Sequence, residues 1–342
     1  MKAAEVKLLL TSSPFLKQED DMPTIMRQVI YSLVPVSLAA IYYFGLGALL
    51  LILVCVGGAL GTEWVFSRGK RGRRLSIADG SAILTGLLLA LVLPPAIPLW
   101  MALLGAVAAI GIGKMVFGGI GSNIFNPALV GRAFLQAAFP VALTTWVPQG
   151  GWQSLARLYP TQFGMPFAKT TVSAVTTATP LSQMKFAGQT TDTLQLLLGN
   201  TGGSLGETCA LIILLGGIYL AWRNYLNWRV PVAVFASVAV FAGILHWVDP
   251  LKYAPPMFHL FSGGLMLGAI YMATDPVTSP VTQRGCWIFG IGIGVLVMVI
   301  RTYGGLPEGV MYAILLMNAV SPLINRVTQA RIYGESRKKD KG

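Results

Sequence analysis

Side chains able to do chemistry are scarce in this sequence, and most of them fall within or at the ends of apolar stretches. The two histidines, His246 and His259, are predicted near the outer ends of helices, which favours interfacial roles over catalysis. Charges inside apolar runs are costly unless they are paired or hydrated. One set is therefore either functional or made of helix-end ions at the headgroup level: Glu63, Asp79, Lys114, Arg132, Glu207, Asp275 and Arg301.

The three cysteines, Cys55, Cys209 and Cys286, are far apart in sequence, and none belongs to a C-x-x-C pair. Iron-sulfur and structural zinc sites need clustered thiolates or histidines. The spacing predicts small apolar side chains buried in helices. We therefore predict no metal site.

One stretch, residues 170–181, is rich in β-branched and hydroxyl-bearing residues and carries no charge. One interpretation is a solvated threonine-rich loop. The other rests on the run Thr176-Thr177-Ala178-Thr179, which is close to the Ser/Thr-Gly-Ala-Thr signature at which FMN is joined to a threonine through a phosphoester. That chemistry requires an exposed hydroxyl flanked by small residues, because a modifying enzyme must deliver the FMN moiety of FAD to it.

The composition indicates that these residues lie in a membrane protein. Of 342 residues, 54% are hydrophobic and only 11% are charged, a balance too apolar for a soluble domain. The net charge of +12 comes largely from clusters, which favours a topology signal on the cytoplasmic side over a lipid-headgroup or nucleic-acid site. The clusters are Arg68, Lys70, Arg71, Arg73 and Arg74, then Arg331, Arg337, Lys338, Lys339 and Lys341.

Apolar runs predict an all-α polytopic membrane protein with about ten transmembrane helices, since each span needs roughly 20 residues. With the N-terminus in the cytoplasm, both basic clusters and the C-terminus fall inside, and the loop at 144–204 falls outside. The predicted spans are residues 24–44, 45–66, 81–98, 99–117, 124–143, 205–222, 230–247, 258–273, 285–300 and 310–327.

A recurring pattern of glycine and proline predicts two inverted five-helix repeats with broken helices, at about 24–143 and 205–327. Both would belong to a single membrane domain at 1–342. Gly86, Pro94 and Pro98 recur 182 positions later as Gly268, Pro276 and Pro280. The loop at 144–204 would separate the repeats, and 328–342 would form a basic tail. Breaks are expected at Pro94-Pro95 and Asp275-Pro276. The alternative is chance recurrence of glycine and proline in apolar sequence.

Several blocks along the chain resemble the NqrB/RnfD family of membrane subunits. The absence of a long N-terminal extension favours the RnfD branch. The blocks are Thr11-Ser12-Ser13-Pro14-Phe15, Thr24-Ile25-Met26-Arg27-Gln28-Val29, Leu33-Val34-Pro35, Asp79-Gly80-Ser81-Ala82-Ile83-Leu84-Thr85-Gly86, Gly119 to Arg132, Thr274-Asp275-Pro276-Val277-Thr278-Ser279-Pro280 and Arg301-Thr302-Tyr303-Gly304-Gly305.

The resemblance implies covalent FMN on Thr179, in a periplasmic loop of a bacterial inner-membrane protein, and a non-covalent riboflavin within the helices. It implies a subunit of an ion-translocating ferredoxin:NAD oxidoreductase that relays electrons coupled to Na+ or H+ transport. The expected partners are Rnf subunits A, B, C, E and G, a flavin transferase and membrane lipid, with no nucleic acid. Thr177 departs from the signature, which usually has Gly there.

Ion or flavin pathway residues are expected near the glycine and proline breaks, with Asp79, Asn126, Arg132 and Asp275 as candidates. The rival function is a solute channel or secondary transporter without flavin, because inverted repeats with broken helices serve that role equally well. A third class, an inert assembly scaffold, predicts labelling without turnover.

Overall fold

The computed structural model describes residues 21–68, 79–151, 155–166, 177–199, 201–207, 209–250 and 252–329. Across these ranges every regular element is helical, and none of their residues belongs to a β-strand, which confirms the all-α prediction. The block at 11–15, the basic loop beyond Arg68, most of the threonine-rich stretch including Thr176, and the basic tail beyond residue 329 lie outside the described residues.

Five helices are long and apolar enough to cross a membrane. They are α1 (Met22–Phe44), α2 (Leu46–Phe66), α10 (Arg229–Val248), α13 (Gln283–Tyr303) and α14 (Val310–Thr328). Each coincides with a predicted span to within a few residues. A polytopic membrane protein is therefore confirmed.

The other five predicted spans contain shorter or interrupted helices. These are α3 (Ser81–Val92), α4 (Leu99–Ile110, continued by a π-helical turn at Gly111–Met115), α5 (Pro127–Ala138) with α6 (Pro140–Thr144), α9 (Ala210–Trp222), and α11 (Pro256–Phe261) with α12 (Leu265–Leu267) and the π-helical turn Gly268–Met272. The long loop between α6 and α9 contains the short helices α7 (Pro180–Ser182) and α8 (Thr193–Leu198), with a π-helical turn at Gln183–Ala187.

The first expected break is present after α3. The helix ends at Val92 because Pro94 and Pro95 have no N–H to continue its hydrogen bonds. The carbonyl groups freed there do not face lipid: the N–H of Gly206 donates to Leu91 O at 2.6 Å, and that of Leu205 donates to Leu93 O at 3.2 Å. The segment before α9 therefore closes the broken end of α3, as an apolar medium requires.

The second break lies earlier than proline spacing indicates. The helix is interrupted between α11 and α12, where Ser262 is extended and Gly263 has a φ of +69°. Asp275, expected at a break, follows the helix end at Met272 and accepts hydrogen bonds from Val277 N at 3.3 Å and Thr278 Oγ1 at 3.2 Å. Glycine supplies the left-handed backbone here, so proline is not needed.

The inverted repeat stays a prediction, and one geometric match accords with it. Gly80 and Gly263, each just before a short membrane helix, have φ values of +78° and +69°. Helices α3 and α12 thus both begin after a left-handed glycine. The ends of the helical bundle are named below after two residues: the Asp79 end, where α3 begins, and the Thr179 end, where the long loop lies.

Close helix contacts depend on small residues, as is usual in membranes. A Cβ on Gly86 of α3 would lie 2.7 Å from Val56 Cα and 2.8 Å from Cys55 O, both backbone atoms of α2. These backbone atoms cannot move without displacing α2. Gly86 therefore fixes the spacing between the two helices.

We expect Gly86→Ala to lower the free energy of unfolding by about 1–3 kcal/mol, the usual cost of overpacking. Circular dichroism during chemical denaturation in detergent measures the effect. The control is Gly57→Ala on α2, where an added Cβ meets nothing within 4 Å. Equal losses in both variants would contradict this interpretation of the α2–α3 contact.

Candidate functional site

The structure brings the candidate residues together as two groups at opposite ends of the bundle. Thr179 and Arg132 line one cavity at the Thr179 end. Asn126 and Asp275 line a second cavity at the Asp79 end, and Asp79 is joined to it through Ser81. Arg132 is thus separated from the other three pathway candidates.

The larger cavity has a volume of about 480 Å³, within the range of small-molecule sites. Helix α5, the residues around Thr179 and the connection between α13 and α14 form its walls. The polar wall residues are Arg132, Gln136, Thr144, Thr177, Thr179, Ser182, Glu207, Glu308 and Tyr312.

Thr179 is an N-cap rather than a freely exposed loop residue. Its side chain is 7% exposed, and its Oγ1 lies 2.9 Å from Ser182 Oγ while accepting the Ser182 N–H at 3.2 Å. Pro180, at the first helical position, favours the turn that follows. The expectation of an exposed hydroxyl is wrong for this conformation, because Thr179 faces the cavity and not bulk water.

Thr177 fits its position without backbone strain. Among the described residues, Asn224 is the one non-glycine with a positive φ, so Thr177 adopts an ordinary conformation. Its N–H donates to Trp146 O at 3.0 Å. The glycine usual at this position in the signature is therefore not required by the backbone of this chain.

Lys185 holds residues 177–189, here called the Thr179 segment, against the rest of the cavity wall. Its Nζ donates to Arg301 O and Leu306 O, each at 3.0 Å, and to Gly304 O. These carbonyls belong to the end of α13 and the following connection, so one ammonium group satisfies all three. Burial lowers the pKa of Lys185 from its ordinary value.

Glu308 holds Arg132 at the cavity wall. Arg132 Nη2 lies 2.8 Å from Glu308 Oε2, while Glu308 Oε1 accepts the N–H of Gly264 at 2.6 Å. Burial alone would raise the pKa of Glu308, but Arg132, the Gly264 N–H and Arg301 outweigh it, so the pKa is lowered. Glu308 is not among the residues predicted from the sequence, although it is the one acidic residue between the last two predicted spans.

At the Asp79 end, the smaller cavity has a volume of about 60 Å³. Asn126 caps α5 by accepting the N–H groups of Ala128 at 3.0 Å and Leu129 at 3.4 Å. Its Nδ2 also donates to Met272 O at 3.3 Å. Asn126 therefore joins the start of α5 to the end of the π-helical turn after α12.

A buried polar chain lies beside this cavity. Lys114 Nζ forms an ion pair with Glu63 Oε1 at 2.8 Å and donates to Ser81 Oγ at 2.5 Å. Ser81 Oγ in turn donates to Asp79 Oδ1 at 2.5 Å. Lys114 is 2% exposed and Glu63 is fully buried. Removing one partner would leave an uncompensated buried charge, which is strongly destabilising.

Neither histidine has a catalytic arrangement. His246 Nδ1 is 2.7 Å from Tyr253 O at the Thr179 end. His259 is 2% exposed, which corrects the interfacial expectation: α11 packs against α10, so the ring is enclosed. The three cysteines are buried, and within the described ranges no cluster of three His, Cys, Asp or Glu side chains could hold a metal ion.

Comparisons with known proteins cover nearly the whole chain. Residues 9–334 match the NQR2, RnfD, RnfE family. The D subunit of the proton-translocating ferredoxin:NAD(+) oxidoreductase complex of Clostridium ljungdahlii is 39% identical over 98% of this chain and 100% of its own length. The Na(+)-translocating counterpart of Acetobacterium woodii is 42% identical over 96% of each chain. The D subunit of the ion-translocating oxidoreductase complex of Stutzerimonas stutzeri is 42% identical over 91% of this chain and 92% of its own.

We expect Lys185→Met to loosen the Thr179 segment, because each hydrogen bond to a charged group contributes about 1.5–3 kcal/mol. Amide hydrogen exchange at residues 180–187 should accelerate by about tenfold or more, while exchange in α10 and α13 stays unchanged. Lys252→Met is the matched control: Lys252 is an exposed lysine of the same end whose Nζ lies over the Tyr253 ring. Unaltered exchange in Lys185→Met would contradict the proposal that Lys185 holds the Thr179 segment in place.

Proposed function

This chain belongs to the NQR2, RnfD, RnfE family, and on that premise we propose that it is the D subunit of an ion-translocating ferredoxin:NAD oxidoreductase complex. The functions of the three relatives support this proposal, since two are subunits of ferredoxin:NAD(+) oxidoreductases, one translocating protons and the other Na+. The chain would act with subunits A, B, C, E and G of such a complex, and not as an independent enzyme.

Thr179 is the proposed attachment point of covalent FMN. The observation that carries the proposal is that its side chain lines a cavity of about 480 Å³ whose wall includes polar atoms lacking partners among the described residues. Those atoms are Thr177 Oγ1, Arg132 Nε and Glu207 Oε1. A bound molecule with polar groups would supply the missing partners, and the volume suits a group of flavin size.

The burial of Thr179 adds a requirement for attachment. A flavin transferase must reach Oγ1, which attacks the FMN phosphorus of FAD as AMP leaves. Because Thr179 is 7% exposed, we infer that the modification occurs before the segment at 177–187 docks on the cavity, or while it is undocked.

The bound flavin would supply one- and two-electron chemistry, and the chain's own residues would hold it. Lys185 keeps the Thr179 segment against the connection before α14. Arg132 and Glu308 form a charged part of the wall, with Arg132 Nη2 paired to Glu308 Oε2. Because the Thr179 segment and the cavity wall are held in place, the tethered flavin would have little freedom to move. Binding and orienting a cofactor is the protein's contribution, while the cofactor supplies the redox chemistry.

We propose that the Thr179 end faces the periplasm of a bacterial inner membrane and that both termini are cytoplasmic. The supporting observation is the distribution of cations at helix ends. Arginines concentrate at the Asp79 end, whereas the Thr179 end has fewer exposed cations, a bias typical of membrane proteins. Among the described residues, the arginines at the Asp79 end are Arg27, Arg68, Arg223, Arg229, Arg284 and Arg326.

The Asp79 end is the proposed region of the ion path. Asn126 and Asp275 line the smaller cavity, and Asp79 is joined to it through Ser81, at the junction of the two predicted repeats. Coupling would require electron arrival to change the relative stability of two arrangements of this junction. The non-covalent riboflavin that the resemblance implies stays a prediction.

Sidedness predicts which introduced cysteines are accessible from outside intact cells. Gln189→Cys, in an exposed part of the Thr179 segment, should react with a membrane-impermeant maleimide, because the three natural cysteines are buried. Arg223→Cys, exposed at the other end, should react only after the cells are lysed. The reverse pattern would contradict both the periplasmic attachment of FMN at Thr179 and the proposed route of electrons through that flavin.

For attachment itself, we expect the intact mass of the subunit from cells with the flavin transferase to exceed its sequence mass by one FMN less one water. Thr179→Ala should abolish both this mass and the in-gel flavin fluorescence, because the accepting hydroxyl is lost. Thr177→Ala, which removes the neighbouring hydroxyl, is the control and should remain labelled. An unlabelled wild-type chain would favour the channel or transporter alternative.

A further inference from the structure

We infer that Arg132 binds the phosphoryl group of the flavin, an assignment that rests on the proposed attachment at Thr179. The inference concerns an anion site in the larger cavity, formed by one guanidinium group. It predicts that the cavity distinguishes FMN from riboflavin before any covalent bond exists.

The first observation is an unsatisfied donor. Arg132 is 9% exposed, its Nη2 is paired with Glu308 Oε2 at 2.8 Å, and its Nε has no acceptor among the described residues. Buried donors without partners are rare in folded proteins because each costs desolvation energy. Since Arg132 lines the cavity, a ligand there can provide the missing acceptor.

The second observation is that Arg132 is one of two guanidinium groups near Gly263 and Gly264. Arg132 pairs with Glu308, and side-chain atoms of Arg301, Glu308 and Glu207 border these two glycines.

The two guanidinium groups differ in their position relative to the larger cavity. Arg301 donates to His259 O at 2.6 Å and Ser262 O at 2.9 Å; its Nε has no acceptor among the described residues, but Arg301 does not line the cavity. Arg132 is therefore the guanidinium group with a donor left for a ligand in that cavity.

The ligand chemistry follows from the donor and from Thr179. Guanidinium groups bind phosphoryl oxygens through several N–H donors, and they stay charged in buried sites. A phosphoester on Thr179 would carry one negative charge beside a cavity that Arg132 also lines.

The experiment uses the full chain produced without the flavin transferase, so that Thr179 stays unmodified. FMN and riboflavin, which differ only in the phosphate, are titrated separately and followed by quenching of flavin fluorescence. We expect FMN to bind about 10- to 100-fold more tightly, the range for a hydrogen bond to a charged group. Arg132→Gln should remove this preference and leave riboflavin affinity unchanged.

Three controls test the assignment. Arg157→Gln changes an exposed arginine of the same end and should retain the preference. Arg132→Lys keeps the charge and the pairing with Glu308, so it should fold normally and retain part of the preference. Inorganic phosphate should weaken FMN binding and leave riboflavin binding unchanged, which separates the flavin phosphate from a general phosphate site.

Equal affinities for FMN and riboflavin in the wild type, or a preference that persists in Arg132→Gln, would overturn the inference. No FMN binding at all would overturn it as well. The proposed attachment is tested separately. An FMN preference in a chain whose Thr179 is never labelled would contradict the covalent attachment but support the role of Arg132. A labelled Thr179 without the FMN preference would support the attachment and contradict the role of Arg132.

Discussion

The fold depends on satisfying backbone polar groups where membrane helices are broken. A helix that stops inside an apolar medium leaves carbonyl groups without donors, and each such group costs several kcal/mol. The chain meets this demand from distant segments. Leu205 and Gly206 pair with the end of α3, Asn126 pairs with Met272, and Arg301 pairs with the break between α11 and α12.

The side chains that close these breaks also determine where the cavities lie. Asn126 joins two helix ends and lines the smaller cavity, while Lys185 joins the Thr179 segment to the end of α13 beside the larger one. A cavity lined by polar groups can persist in the membrane only where protein surrounds it. The same side chains therefore close the helix breaks and build the walls of the cavities.

Buried charge is tolerated by the same arrangement. Lys114 is compensated by Glu63, and Arg132 by Glu308, each at 2.8 Å. These pairs add little stability over apolar packing, but breaking either one is costly. Their retention is better explained by the sites that they border. Lys114 lies beside the smaller cavity and Arg132 beside the larger one.

Hydrophobic run length and proline position by themselves determined the all-helical fold, the five long helices and the end of α3, because these depend on local chemistry. The threonine signature likewise predicts attachment at Thr179 from short-range sequence alone, and that assignment stays a prediction. Only the tertiary structure revealed the break at Ser262, the clamp by Lys185 and the pairing of Arg132 with Glu308. That last contact joins residues 176 positions apart, and periodicity cannot predict it, since such contacts arise only when distant helices pack.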